Sequence, residues 1–501
     1  MSKVTLATLA QGFYDARPHV VILGGGFAGL YAAKGLADAP VRITLVDRRN
    51  HHLFQPMLYQ VATAGLNPSD IASPIRAVLR RQKNVEVVLG DAVDVNTATH
   101  EVLLADGMHL SYDYLIVATG ARHSYFGRDE WEALAPGLKS LEDAVEIRNR
   151  ALLAFELAER EPNPSLQQAY LTFVVVGGGP TGVEMAGALA EVKNYTLRRD
   201  FRHINPRSAK VILVEAGPAL LPSYPEDLRE RAAAELRRLG VEVRTNAMVR
   251  DIQPWSVTAG DAVIPTRTVV WAAGNLASPL LKTLNTPLDR QGRAIVEPDC
   301  SIPEHPEVFV LGDAAHFEHD GPPLPGVSPV AIQMGQYVAR VIASEARDGR
   351  RPEPFDATRQ GHEAEKGATP AAGRQPFSYW NKGQLAVIGR GHAVADIGRL
   401  HFGGFFAWLT WIFVHIFFLI GFRNRVLVLI QWAIAYFTYQ RGARLITGEV
   451  GPSTPTTPVR TLSMVPPPPP APAPAGPQPS TPPSSQASAP TSERVAARSR
   501  S

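Results

Sequence analysis

His19-Val20-Val21-Ile22-Leu23-Gly24-Gly25-Gly26-Phe27-Ala28-Gly29 is the stretch whose reading decides the fold. A short β-favouring run enters a glycine turn, a helix-compatible segment follows, and Val41 to Val46 reads as a second strand. That strand ends at Asp47, 23 positions beyond Gly24. Gly24 permits the tight turn, Gly26 lets the backbone approach a pyrophosphate, and Gly29 allows close helix-strand packing. The helix N-terminus then faces the phosphates, and Asp47 is placed to accept hydrogen bonds from an adenosine ribose.

The same design recurs downstream. Leu171 to Val176 leads into Gly177-Gly178-Gly179-Pro180-Thr181-Gly182, an alanine-rich helix follows, and the strand Lys210 to Val214 ends at Glu215. The second unit is longer than usual, so an insertion near Lys193 to Ser208 must be accommodated. Glu215 reads either as an ordinary strand-end carboxylate or as a ribose acceptor that repels a 2′-phosphate and so favours NADH over NADPH. Strand candidates at Val85 to Leu89, Val102 to Leu104, Tyr114 to Val117, Val241 to Val243, Thr268 to Trp271 and Val308 to Leu311 complete the pattern, and a helix is expected over Pro329 to Ala346. The fold class is α/β, with two Rossmann-like dinucleotide-binding domains. The simplest division of labour puts FAD in the first and a diffusible nicotinamide nucleotide in the second, with hydride passing to the flavin.

Composition narrows the chemistry. The 501 residues suffice for two or three domains, and 50 basic against 47 acidic residues give a net charge of +3, which argues against a nucleic-acid partner. One cysteine, Cys300, excludes an intramolecular disulfide, a CxxC redox pair and a cysteine-ligated iron-sulfur cluster, so redox chemistry must rest on a bound cofactor. No HExxH or Cys/His spacing supports a metal site, and none is expected. The first 18 residues do not read as a secretory signal, which places the catalytic part in the cytosol.

From Phe402 the character changes. Phe402 to Phe422 carries no charge and is long enough by length alone to span a bilayer, while Val426 to Phe437 is too short to return. With Arg423, Arg425, Arg441 and Arg444 alongside, both segments fit interfacial helices with aromatic side chains inserted and cations near headgroups. A buried hairpin or a dimer interface is the competing reading. Trp408, Trp411 and His415 repeat at helical spacing, as do Trp432, Tyr436 and Tyr439. After Gly451 the Pro-, Ala- and Ser-rich tail is expected to be disordered.

With these features assembled, the chain resembles the two-dinucleotide-domain flavoproteins and, more closely, the type II, non-proton-pumping NADH dehydrogenases, over roughly Pro18 to Gly448. The resemblance is carried by the motif at Gly24, by Asn50-His51-His52-Leu53-Phe54-Gln55-Pro56 with Leu58-Tyr59-Gln60-Val61-Ala62, and by Gly177 to Glu184. Trp271-Ala272-Ala273-Gly274, Gly312-Asp313-Ala314 and Ala331-Ile332-Gln333-Met334-Gly335 add to it. It implies non-covalent FAD contacted by Asp313 and by the Ala118 to Gly120 turn, with Ala273-Gly274 near the nicotinamide nucleotide. Glu184 is expected near the nicotinamide and flavin, and Gln333 near the headgroup of a quinone such as ubiquinone or menaquinone. Tyr337, one turn beyond Gln333, is either a site residue or a core aromatic. His51 and His52 are expected to pack or hydrogen-bond near FAD.

The resemblance also implies monotopic attachment to lipid at the cytoplasmic face of the cell membrane, and a homodimer. The expected organisation is an extension (1–18), an FAD-binding domain in two parts (19–170 and 301–400), an NADH-binding domain (171–300), membrane-anchoring helices (401–450) and the tail (451–501). Competing functions are a related reductase with a protein acceptor such as ferredoxin, and a slow-turnover membrane redox sensor. Disulfide reductases and sulfide:quinone oxidoreductases are disfavoured because the cysteine pair is absent.

Overall fold

The computed structural model describes residues 16–318, 321–350, 352, 373–419, 422–438 and 442–447. Most of the expected N-terminal extension, the tail, Tyr439 and Arg441 lie outside these residues. The first sheet has six strands, in the order Ser301–Ile302, His305–Val310, Tyr114–Val117, His19–Leu23, Arg42–Asp47, Val85–Leu89. All neighbours are parallel except the outermost pair, Ser301–Ile302 and His305–Val310. Val21 pairs with both Leu115 and Thr44, and both central strands are buried along their whole length. That is why they read as continuous apolar runs with no alternation. The second sheet has four parallel strands in the order Val241–Arg244, Lys210–Val214, Thr172–Val176, Thr268–Trp271.

The helix after each first strand is covered by a different layer. Phe27–Gly35 lies against the long helix Ser328–Asp348 so closely that a Cβ on Gly335 would fall 2.3 Å from the Ala28 carbonyl oxygen. Pro180–Glu191 lies against an antiparallel meander, Gln384–Gly389, His392–Ile397 and Leu400–Gly404, and there a Cβ on Gly187 would fall 1.7 Å from the Ile388 carbonyl oxygen. The sequence did not announce this meander, whose strands are short and joined by tight glycine turns at Gly391 and Gly398.

The expected apolar segment Phe402 to Phe422 is therefore not one element. Its first residues finish the meander, Gly404 turns the chain at φ +82°, and a helix runs over Phe405–Phe418. At 14 residues that helix is about 21 Å long against a hydrocarbon core of about 30 Å. Among the described residues no helix is long and apolar enough to cross a membrane. Phe406, Leu409, Phe413 and Phe417 form an exposed stripe along it, while Ala407 and Trp411 are buried on the opposite face. On the following helix, Phe422–Thr438, Val426, Ile430 and Ile434 make a second exposed stripe and Val428 is buried.

Two arginines expected at headgroups bond to protein instead. Arg425 donates to the carbonyls of Leu419 (2.7 Å) and Phe417 (2.8 Å), closing the end of the preceding helix, and Arg444 pairs with Asp200. Beyond the second helix, Thr447 is clasped by the helix Leu141–Arg160. Asn149 Nδ2 donates to the Thr447 carbonyl (2.6 Å), the Thr447 N–H donates to Asn149 Oδ1 (3.2 Å), and Arg148 reaches the Thr447 hydroxyl (3.0 Å).

Candidate functional site

The two glycine loops are built alike. Gly24 and Gly177 have φ of +107° and +110°, a region open to glycine and seldom to other residues. Cβ atoms there would meet the Ala118 carbonyl oxygen at 2.3 Å and the Ala272 carbonyl oxygen at 2.7 Å. Cβ atoms on Gly29 and Gly182 would lie 1.9 and 1.8 Å from the carbonyl oxygens of Gly24 and Gly177, which is the close helix-strand packing the motif requires. A Cβ on Gly26 or Gly179 would meet nothing within 4 Å, and each of these residues begins its helix without a side-chain cap. Each loop therefore presents a helix N-terminus to open space, the arrangement that accepts a phosphate.

The strand-end acids tie each loop down. Asp47 accepts from Gly25 N–H (2.6 Å) and Arg49 N–H (2.7 Å). Glu215 accepts from Gly178 N–H and Gly217 N–H, both at 2.6 Å. One acceptor site per oxygen is used, leaving lone pairs for ribose hydroxyls. His52 holds the first loop from behind. Its Nδ1 donates to the Gly25 carbonyl (2.9 Å), and burial pulls its pKa down to about 4, so the ring is neutral.

Each loop faces a turn at the point where its strand order reverses, Ala118 to Gly120 in the first sheet and Ala272 to Gly274 in the second. Gly120 and Gly274 take φ of +66° and +69°. Directly after both turns the chain forms one antiparallel ribbon, Ala121–His123 with Asn275–Ala277, in which Ala121 pairs with Ala277 and His123 with Asn275. The two reversal points, where ligands bind in open α/β sheets, are thereby joined across roughly 13 Å of strand.

Glu184 sits on the helix that follows the second loop. The residue as a whole is partly exposed, but its carboxyl is enclosed by protein, and burial pushes its pKa up to about 8 against weaker opposing pulls from the Val387 amide and Trp411. The Val387 N–H approaches Oε1 at 3.4 Å, and the buried Trp411 indole N–H, with no other partner among the described residues, faces the same carboxyl. Trp411 is stacked on His415 (4.0 Å between centroids) and lies 5.4 Å from Trp432. Two aromatics expected at lipid thus point inward, and Trp411 reaches the acid.

Gln333 lies on Ser328–Asp348 with its amide engaged in both directions, Nε2 donating to the Trp380 carbonyl and Oε1 accepting from the Trp380 N–H, each at 3.0 Å. Tyr337 does not join it. Its ring is buried against Phe377 and its hydroxyl donates to the Gln375 carbonyl, so it is a core aromatic. Asp313 follows Gly312, whose φ is +65°, and lines a cleft with Ala121, Asn275, Arg293 and Gly326.

A family model described as pyridine nucleotide-disulphide oxidoreductase matches residues 18–335, and one described as NDH2 C-terminal domain matches residues 381–439. The type II NADH:quinone oxidoreductase Ndh of Mycobacterium tuberculosis is 45% identical over 445 residues, covering 86% of this chain and 91% of its own. Its paralogue NdhA is 43% identical, covering 89% and 93%.

The chain belongs to the type II NADH:quinone oxidoreductases.

The solved NDH2 from Plasmodium falciparum in complex with NADH shares the fold at a TM-score of 0.74 and 18% identity, covering 86% of this chain and 100% of that one. A sulfide:quinone oxidoreductase from Aquifex aeolicus superposes at 0.62 over 81% and 91%, so the fold by itself does not separate electron donors. Despite the disulphide in the superfamily's name, this type II enzyme has one cysteine, and Cys300 is buried.

The superfamily is FAD- and NAD-dependent, and the residues present fit two dinucleotides, since two uncapped helix starts open on space that a side chain would otherwise fill. Three further features of this type II enzyme escaped sequence reasoning. Gln60 accepts from the Trp432 indole N–H (2.8 Å), so the Leu58-to-Ala62 motif holds the C-terminal helices. The Lys139 ammonium faces Asp313, with its pKa lowered by burial and partly restored by that charge. Trp411 meets Glu184 although the two are far apart in sequence. Gln60, Asp313, Trp411, Trp432 and Glu184 were each visible in the sequence, but none of these pairings was.

Proposed function

We propose that this type II enzyme holds FAD without a covalent bond on Gly24, Gly26 and Gly29, with Asp47, Gly120 and Asp313 along its length. NADH then docks on Gly177, Gly179 and Gly182, with Glu215 and Gly274 completing its site. The observation that supports pairing the two sites in one reaction is the ribbon Ala121–His123 with Asn275–Ala277, which joins the two reversal points directly. Flavin, when bound, supplies the capacity to take a hydride and give up two electrons. The chain contributes position and charge. Asp47 and Glu215 brace their loops and accept from ribose hydroxyls. The shape of the Glu215 site, a carboxylate already holding two N–H groups, favours a free 2′-hydroxyl over a 2′-phosphate. Glu184, whose carboxyl pKa is pushed up to about 8 by burial, holds a proton at neutral pH, and its role is to keep that proton near the bound nicotinamide. Gln333 has spent one of its two amide N–H donors on Trp380, and the second is available to a quinone oxygen.

The exposed stripes Phe406–Leu409–Phe413–Phe417 and Val426–Ile430–Ile434 support monotopic attachment, with the helices lying in a lipid surface on the cytoplasmic side. The same face delivers a lipid-soluble quinone, ubiquinone or menaquinone, towards Gln333.

Anaerobic stopped-flow absorbance of detergent-purified, FAD-loaded protein tests the reading, with NADH mixed first and a short-chain quinone second. Fast bleaching at the flavin band followed by quinone-dependent recovery is the expected result. Bleaching without recovery removes the acceptor half, and absence of bleaching removes the whole assignment.

A further inference from the structure

After the ribbon strand Ala121–His123 the chain reverses through Tyr125-Phe126-Gly127-Arg128. Phe126 and Gly127 take φ of +53° and +83°, and the Arg128 N–H donates to the Tyr125 carbonyl at 3.0 Å. Positive φ at both central residues with this closing bond is the pattern of a type I′ turn, whose preferred sequence is Asn-Gly or Asp-Gly. Here the first central position holds phenylalanine, a bulky residue for which the left-handed region is an outlier. Nor does packing repay it, since Phe126 is 71% exposed. An exposed apolar side chain alone carries no message. Exposure combined with a disfavoured backbone does, because such conformations concentrate where a side chain has work outside the fold.

The ring's position says which work. A Cβ on Gly274 would lie 2.7 Å from Phe126 Cζ and 3.1 Å from Cε2, so the ring lies across the Ala272-to-Gly274 turn. Its inner edge meets Trp271 at 6.3 Å between centroids, in an edge-on arrangement. Trp271 fixes the loop, donating from its indole to the Ser124 carbonyl (2.9 Å), while the Ser124 N–H donates to the Gly274 carbonyl (3.3 Å). Tyr125 and Trp131 close on Trp271 from the core, at 5.2 and 5.8 Å. The turn beneath the ring is the one that meets the second glycine loop, since a Cβ on Gly177 would lie 2.7 Å from the Ala272 carbonyl oxygen.

We propose that Phe126 is an apolar contact for the bound nicotinamide dinucleotide, its ring covering the nucleotide where it crosses Gly274. This rests on the reading that the second loop takes NADH.

The test compares Phe126→Asn, Phe126→Ala and Phe126→Tyr in the full-length holoenzyme. Asparagine suits the turn better than phenylalanine, so Phe126→Asn keeps or raises the melting midpoint while deleting the ring. The readout is the NADH concentration dependence of anaerobic flavin bleaching. Half-saturation is expected to rise roughly three- to tenfold in the Asn and Ala variants and to stay within about twofold of wild type in Tyr, as loss of one aromatic contact predicts. The KM for a short-chain quinone is expected to be unchanged. A normally melting Phe126→Asn protein with wild-type half-saturation overturns the proposal, as does an equal loss in Phe126→Tyr or a rise confined to the quinone KM. If NADH fails to bleach the wild-type flavin, the underlying assignment falls and takes the proposal with it.

Discussion

The two dinucleotide loops differ less in themselves than in what lies over them. Gly24 and Gly177, Gly26 and Gly179, Gly29 and Gly182 match in φ, in open space and in backbone approach, and Asp47 and Glu215 brace their loops through the same pair of N–H bonds. Over the first helix lies Ser328–Asp348, pressed on Ala28 and bearing Gln333. Over the second lies a meander strand pressed on Gly187, with Trp411 reaching Glu184. The same glycine-loop geometry is thus used twice under two different covering layers, and on the proposed reading the first layer brings Gln333 to a retained flavin and the second brings a buried acid to an exchanging nucleotide.

The sharpest way to break this comparison is to damage both loops in the same way. Gly29→Ala and Gly182→Ala each drive a methyl group into a carbonyl oxygen, at 1.9 and 1.8 Å, at a cost of about 3 kcal/mol of stability as measured by denaturant unfolding. Gly29→Ala is expected to purify without flavin, and Gly182→Ala to keep its yellow colour but not bleach with NADH. Equal flavin loss in a folded Gly182→Ala protein would end the division of labour.

Next in size is Glu184→Gln. The carboxyl's ordinary value is 4.5 and its folded value about 8, so the folded protein keeps a proton that the unfolded chain releases in between. Its contribution to stability is full below pH 4.5 and is lost as pH rises to about 8. Glu184→Gln removes that slope. Relative to wild type it should gain on the order of 3 kcal/mol above pH 8, after allowance for partial exposure, and gain nothing below pH 4.5. Parallel melting curves across this window would show that the covering layer does not bury the acid.

Smaller again are the brace residues. Glu215→Gln should raise the KM for NADH about tenfold with flavin content unchanged, and Asp47→Asn should do the reverse, weakening flavin retention by a similar factor. The least effect on the fold is expected from Gly26→Ala, whose methyl group enters empty space. Apoprotein stability should move by less than about 0.5 kcal/mol, while FAD titration shows markedly weaker binding. An Ala variant that binds FAD normally would mean that this space is not the pyrophosphate cradle.

Both loops were legible in the sequence because their geometry can be met only by glycine, and the strands between them because burial on both faces leaves unbroken apolar runs such as Tyr114–Val117. The acids at Asp47 and Glu215 followed from spacing. What stayed hidden depends on contacts remote in sequence. The Gln384–Gly404 meander is recognisable only by the helix it covers, and the end of its last strand was absorbed into an apolar run that looked like one long segment. Gln333 was legible as a residue, but its lock on the Trp380 backbone was not. Phe126 was overlooked because Phe-Gly does not look like a turn.

The clasp of Asn149 on Thr447 has a mechanical consequence. The two apolar helices begin at a meander strand and end at a segment pinned to Leu141–Arg160, so they are fastened fore and aft. They act as a keel and not as an arm on a hinge. Whatever grips the exposed phenylalanines sets the heading of the whole hull, and both glycine loops ride at a fixed bearing to that surface.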